Sequence, residues 1–184
     1  MKQIDPGASW GRVRPEWTAL VVSWDARNDR PDIITLGWTM HTSGRPSMAA
    51  ISIGHPRYSH ELITKEGEFV LAYPNARMGD AAMYCGTHSG RDVDKFAHTD
   101  LVPLPTKIVK PPLIQDAVVN MECKVVGTLD TGDHTIFVGE IVAAYEEPEE
   151  KEILLNFGAI GGSKERVLTG ITEYSGKYSG VPRK

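Results

Sequence analysis

The stretch Ser89-Gly90-Arg91-Asp92-Val93-Asp94-Lys95-Phe96 carries the densest set of groups able to hold an anion. A hydroxyl, a permissive glycine, a guanidinium and an ammonium fall within seven positions. Val93 and Phe96 stand one helical turn apart, which predicts a short helix over residues 92–98. Backbone N–H groups and the dipole at a helix start favour an anion. On such a helix Arg91 and Lys95, four apart, share a face. Fixed donors plus two positive charges are what a phosphate monoester needs. A capped surface helix with Asp92, Asp94 and Lys95 in solvent explains the same residues equally well.

A second cluster precedes it. Gly54-His55-Pro56-Arg57-Tyr58-Ser59 joins a strand candidate to a helix candidate. Arg57 and Ser59 fall where the helix should begin, again a place suited to phosphate. Taken alone, a Ser cap beside an exposed Arg is the commoner explanation. Thr35, Trp38 and Thr39 lie at the end of another strand candidate. Gly132-Asp133-His134 opens the second strand of a hairpin. A histidine there can approach a ligand or take a strand-end hydrogen bond, the second being commoner.

Other patterns carry less. Gly158-Ala159-Ile160-Gly161-Gly162-Ser163-Lys164 lacks the Gly-Lys-Ser/Thr ending of a P-loop and follows no strand–loop–helix unit. His55 and His60 have no clear third ligand, so no metal is expected. Cys85 and Cys123 form no Cys-x-x-Cys pair and read as reduced, partly buried thiols. No nucleophile–base pair stands out.

The elements that must position these groups are mostly strands. Residues 19–24, 32–38, 47–53 and 68–73 are apolar and β-prone. In 58–65, Tyr58, Leu62 and Ile63 fall on one helical face, and Gly67 stands where that helix should stop. Residues 78–84 read as a short helix ending near Gly86. Residues 101–112 hold four of the twelve prolines and must be largely extended. Residues 118–129 and 135–145 flank Asp130-Thr131-Gly132-Asp133, a hairpin signature. Residues 153–155 make a last short strand. The inventory of six or seven strands and two or three short helices has no βαβ alternation. It predicts a mainly β chain with some α, a closed barrel flanked by short helices.

Composition sets the outer limits. The chain has 184 residues, 41% of them hydrophobic, which suits one domain over residues 1–184. Its core is expected at about 14–157, followed by a Gly-, Ser- and Lys-rich arm over 158–184. Net charge is −4 with both signs interspersed, so neither a nucleic-acid patch nor an acidic arm is expected. The first residues lack an apolar core of a secretory signal, and no apolar run nears the ~20 residues that span a bilayer. The expectation is a soluble cytoplasmic protein.

Taken in order, these segments resemble the flavin-reductase-like, FMN-binding split-barrel family, and most closely its flavoredoxin-type branch. The resemblance runs from about Arg14 to Tyr145. Residues 33–38 are similar to the family's Asn-x-x-Thr-x-x-Trp strand and turn, and residues 47–59 to its flavin-side strand with an Arg-x-Ser/Thr turn. Ser89-Gly90-Arg91 with Lys95-Phe96 resembles the phosphate-side loop. Residues 132–140 are similar to the Gly-Asp-His-x-x-x-x-Gly-Glu hairpin. The resemblance implies a six-stranded, Greek-key-like split barrel, a homodimer, and FMN near the interface. It implies that Thr35, Trp38 and Thr39 surround the flavin and its ribityl chain, with Ser52, Ile53 and Gly54 contacting the ring by their backbone. Arg57, Ser59, Ser89, Gly90, Arg91 and Lys95 would serve the phosphate, and His134 the nicotinamide side.

It further implies an NAD(P)H-dependent flavin or ferric reductase, or a flavoredoxin-like carrier with a protein redox partner. A non-catalytic flavin- or ligand-binding module is the alternative. One departure is Asp32, where the family often has Asn. A carboxylate neither donates like an amide nor welcomes phosphate, so Asp32 is expected to point to solvent.

Overall fold

Strand pairing in this protein follows from a segment that is apolar on both faces. In the computed structural model, which describes residues 1–149, 152–159 and 166–171, Ala19–Asp25 forms a strand with Leu20 and Val22 in one core and Ala19 and Val21 in another. A strand of this kind has to be covered on both sides. In chain order the elements are β1 (Glu16–Trp17), β2 (Ala19–Asp25), β3 (Arg30–Leu36), β4 (Thr39–Gly44), β5 (Ser47–Gly54), α1 (Tyr58–Glu66), β6 (Glu68–Tyr73) and α2 (Gly79–Thr87). The two-residue strands β7 (Pro103–Leu104) and β8 (Leu113–Ile114) follow. Then come β9 (Val119–Thr131), β10 (His134–Glu146), β11 (Ile153–Ala159) and β12 (Arg166–Ile171).

The main sheet is antiparallel, in the order β3-β2-β6-β9-β10-β5-β4. Its two edge strands, β3 and β4, are consecutive in the chain and separated only by Gly37-Trp38. The sheet therefore curls until its edges meet at that link, where the Ser52 N–H donates to Trp38 O at 3.0 Å. Inside the curl lie Val21, Ile51, Ile53, Phe69, Leu71 and Phe137, with Ile63 of α1. Helix α2 and the 101–117 connection cover the other face through Ala82, Cys85, Leu101, Val109 and Ile114. This is the mainly β split barrel that the sequence predicts.

Three local expectations need correction. The main sheet has seven strands rather than six, because β4 is too polar to show strand alternation and is specified by pairing with β5. Residues 92–98 form turns rather than a helix. Lys95 is drawn into the interior there, and the Asp94 carboxylate takes the Ala97 N–H at 3.2 Å, so the chain bends around these groups. The last strand reaches Ala159 and pairs with a further one, β12, inside the segment expected as an arm. Residues 172–184 of that arm lie outside the described residues.

Two buried carboxylates pin the connections. Asp25 accepts the Tyr58 hydroxyl at 2.6 Å and the Asn28 side-chain amide at 2.6 Å, tying the β2–β3 turn to the start of α1. Glu122 of β9 is fully buried and accepts the backbone N–H groups of Lys107, Ile108 and Val109. Helix α1 ends as its sequence indicates: Gly67 has φ 70° and its N–H caps Ile63 O. No helix among the described residues is long and apolar enough to cross a membrane.

Candidate functional site

A cleft of about 520 Å³ opens where the two sheet edges meet. Strand β3 supplies Ile34, Thr35 and Leu36, and the edge link supplies Gly37 and Trp38. The end of β5 adds Ser52, Ile53 and Gly54, and β10 begins there with His134. Helix α2 closes one side with Ala82, Met83 and Gly86. A second cavity of about 150 Å³ continues from it, and Ile34, Arg57, Gly86 and Thr87 line both. Ser59, Ser89, Gly90 and Lys95 line the smaller one. The fold thus brings together residues that span about a hundred positions of the chain.

At the mouth of the larger cavity Trp38 is 51% exposed and its ring centroid lies 4.6 Å from that of His134. His134 Nδ1 sits 2.5 Å from the Asp133 carboxylate. That hydrogen bond is the main cause holding the Asp133 carboxyl below its usual range. A carboxylate at Nδ1 keeps the proton on that nitrogen and leaves Nε2 toward Gly54. A Cβ at Gly54 would stand 3.4 Å from Nε2, in ordinary contact with the imidazole. Thr35 donates its hydroxyl to Ala82 O at 2.6 Å and so stitches β3 to α2. Thr39 pairs with the Tyr73 hydroxyl at 3.2 Å and lies outside the lining of both cavities.

The smaller cavity is built differently from what its sequence suggests. Asp32, expected in solvent, is 4% exposed and forms part of the wall. It accepts the Ser59 hydroxyl at 2.7 Å and stands 3.4 Å from Lys95 Nζ. Its burial follows from β3, which pairs Asp32 opposite Ser23 of β2 and holds it under the 89–95 loop. Arg91 turns away from both cavities, donating to Glu61 and to Pro56 O and stacking over the Tyr58 ring. Arg57 is exposed at the junction of the two cavities.

Sequence reasoning missed the roof. Arg14, Glu16, Trp17 and Thr18 line the larger cavity opposite α2, together with Asn156 of β11. Arg14 and Glu16 form an ion pair, and Asn156 Nδ2 donates to Glu16 Oε1 at 2.8 Å. A Cβ at Gly37 would lie 2.6 Å from Glu16 Cδ, so the glycine at the edge link lets this carboxylate cross. No local pattern announces a contact between positions 16 and 156. Both cysteines are buried, and burial pushes each thiol up to about 12. Neither is a thiolate at neutral pH, so neither offers thiol chemistry.

Comparison with known proteins follows the same lines. The model of the flavin reductase like domain matches residues 13–161. An uncharacterized protein of Archaeoglobus fulgidus is 40% identical over 114 residues, covering 62% of this chain and 64% of that protein's length. A flavoredoxin of Methanosarcina acetivorans shares the fold with a TM-score of 0.80, at 24% identity, over 97% of this chain and 95% of its own. The NADH:FAD oxidoreductase of Streptomyces globisporus C-1027 gives a TM-score of 0.74 at 26% identity, over 84% of this chain and 92% of its own.

Proposed function

The chain belongs to the flavin reductase-like domain family, and from that premise we propose that it is a single-domain oxidoreductase that binds FMN in the cleft and takes electrons from NADH or NADPH. The observation that carries this reading is the continuity of the two cavities. A larger compartment, with Ile34, Leu36, Ile53 and Ala82 among its walls and a polar roof, runs into a small polar one with Arg57 at the junction. That is the shape of a flat heterocycle with a polar tail. The smaller compartment, about 150 Å³, suits a phosphate better than an adenosine, which favours FMN over FAD.

Hydride uptake and electron release are chemistry that such a flavin supplies when bound. The protein's part is binding and orientation. The apolar walls exclude water from one face. Trp38 and His134 stand at the open side, where a nicotinamide would approach. The Asp133 carboxylate fixes the His134 ring so that Nε2 points inward. Replacing His134 by Ala should slow reduction by NADH about tenfold, ~1.4 kcal/mol in the barrier. Chemical reduction by dithionite should be unchanged. Equal rates with NADH in parent and variant would remove His134 from the nicotinamide side. A flavoredoxin-like role with a protein donor would then lead if NADH and NADPH both failed to reduce the parent.

The reading includes a homodimer. Met40 of β4 and Val126 and Leu129 of β9, with β10 and β5 between them, are exposed apolar side chains of the main sheet, of the kind a second copy covers. Light scattering at micromolar protein should return twice the 20.2 kDa chain mass. A monomer mass with FMN present would rule the dimer out.

A further inference from the structure

An anion-binding end ought to offer its cation to the ligand, and in the smaller cavity the cation is already engaged. Lys95 is 4% exposed. An ammonium has three donors. Lys95 Nζ stands 2.6 Å from Ile33 O, 3.2 Å from Cys85 O and 3.4 Å from Asp32 Oδ1. The two carbonyls, from β3 and α2, take two of them, and Asp32 Oδ1 stands at ion-pair distance without accepting a hydrogen bond. Asp32, equally buried, balances the charge. Its other oxygen takes the Ser59 hydroxyl proton at 2.7 Å. The pair presents no net charge to the cavity, and the Ser59 hydroxyl proton is already committed to Asp32.

The neighbouring cations do not restore the balance. Arg30 donates to Gly90 O at 2.7 Å, and Arg91 is held by Glu61 and Pro56 O. The loop itself is fitted over the pair, with a Cβ at Gly90 only 1.9 Å from Asp32 Oδ1. Arg57 lines the cavity but is exposed, where water and salt weaken its pull on an anion.

The geometry points to Asp32 as a specificity-determining residue that disarms the anion end of the cleft. By holding Lys95 it takes most of the phosphate's contribution out of flavin binding. The cleft then selects flavins by their ring and ribityl portions, and accepts unphosphorylated riboflavin nearly as well as FMN. This rests on the flavin reading of the cleft.

The test is a pair of binding titrations, with FMN and with riboflavin, on the parent and on Asp32→Asn. The parent should bind the two within about tenfold of each other. Asp32→Asn leaves the Lys95 charge uncompensated, so FMN should tighten by about tenfold or more while riboflavin stays within about threefold. Because Asp32→Asn removes one member of a buried ion pair, the double variant Asp32→Asn/Lys95→Met serves as a neutral replacement of the pair. Its FMN-to-riboflavin ratio should match the parent's. A parent preference for FMN of about a hundredfold overturns the proposal. So does an unchanged ratio in a folded Asp32→Asn, or a loss of FMN preference of about tenfold in the double variant. A parent that binds neither flavin overturns the flavin reading itself, and this proposal with it.

Discussion

Glu122→Gln should lower the unfolding free energy by about 3–5 kcal/mol, from the loss of two or more hydrogen bonds to a buried charge. The carboxylate is fully buried and takes four donors. Oε1 accepts Lys107 N–H at 2.9 Å and the Tyr145 hydroxyl at 2.6 Å. Oε2 accepts Ile108 N–H at 2.7 Å and Val109 N–H at 2.8 Å. A glutamine must turn its NH2 toward one of these donor pairs, leaving two buried donors facing a donor. Urea unfolding of parent and variant measures the difference. The pH dependence gives a second check. Burial alone would raise the Glu122 carboxyl, but its four hydrogen bonds outweigh burial and hold it below its usual value. A depressed carboxyl contributes stability that is present above its unfolded value, about 4.3, and is lost as pH falls through the folded value. The parent should therefore lose stability on acidification that the glutamine variant no longer has to lose. Equal stability of the two proteins at neutral pH would show that Glu122 does not hold the 107–109 segment.

Gly90→Ala should be nearly as costly, about 3–5 kcal/mol, because the added methyl must break a buried ion pair or lift the loop. The ideal Cβ position is 1.9 Å from Asp32 Oδ1 and 2.5 Å from Asp32 Cγ. The obstructing atom is not a flexible tip. Ser59 holds Oδ2 by a hydrogen bond, the Lys95 ammonium stands 3.4 Å from Oδ1, and Arg30 donates to the Gly90 carbonyl. Thermal melting should fall by several degrees, and flavin affinity should change with it, since Gly90 lines the small cavity. A variant with the parent's melting temperature would show that the loop does not close over Asp32.

Much of this arrangement is legible in the sequence because local signals govern it. The apolar run at 19–25, the one-sided pattern of α1 with Gly67 behind it, and the hairpin around Gly132 each specify their element through burial or backbone freedom. Strand β4 is not legible, since its partner β5 specifies it and its own side chains are mostly polar. The turns at 92–98 defeat the helical spacing of Val93 and Phe96, because tertiary contacts of Lys95 override a weak local preference. The same is true at the cleft. Trp38, Ser52, Gly54, Arg57 and His134 line it as their positions suggest, whereas the Arg14–Glu16–Asn156 roof depends on contacts 140 residues apart. Asp32 is the most instructive residue. Its charge argues for solvent, but β3 holds it under the 89–95 loop, where the Lys95 ammonium 3.4 Å away balances that charge.

On the proposed function, the cleft holds a flavin for reduction by a nicotinamide. An anaerobic titration of the purified parent tests it most directly, first with FMN and then with NADH or NADPH. Saturable FMN binding at one flavin per chain is expected, followed by bleaching of the flavin absorbance that requires the protein. No saturable binding of FMN at concentrations up to about 1 mM, weaker than about −4 kcal/mol, would contradict it.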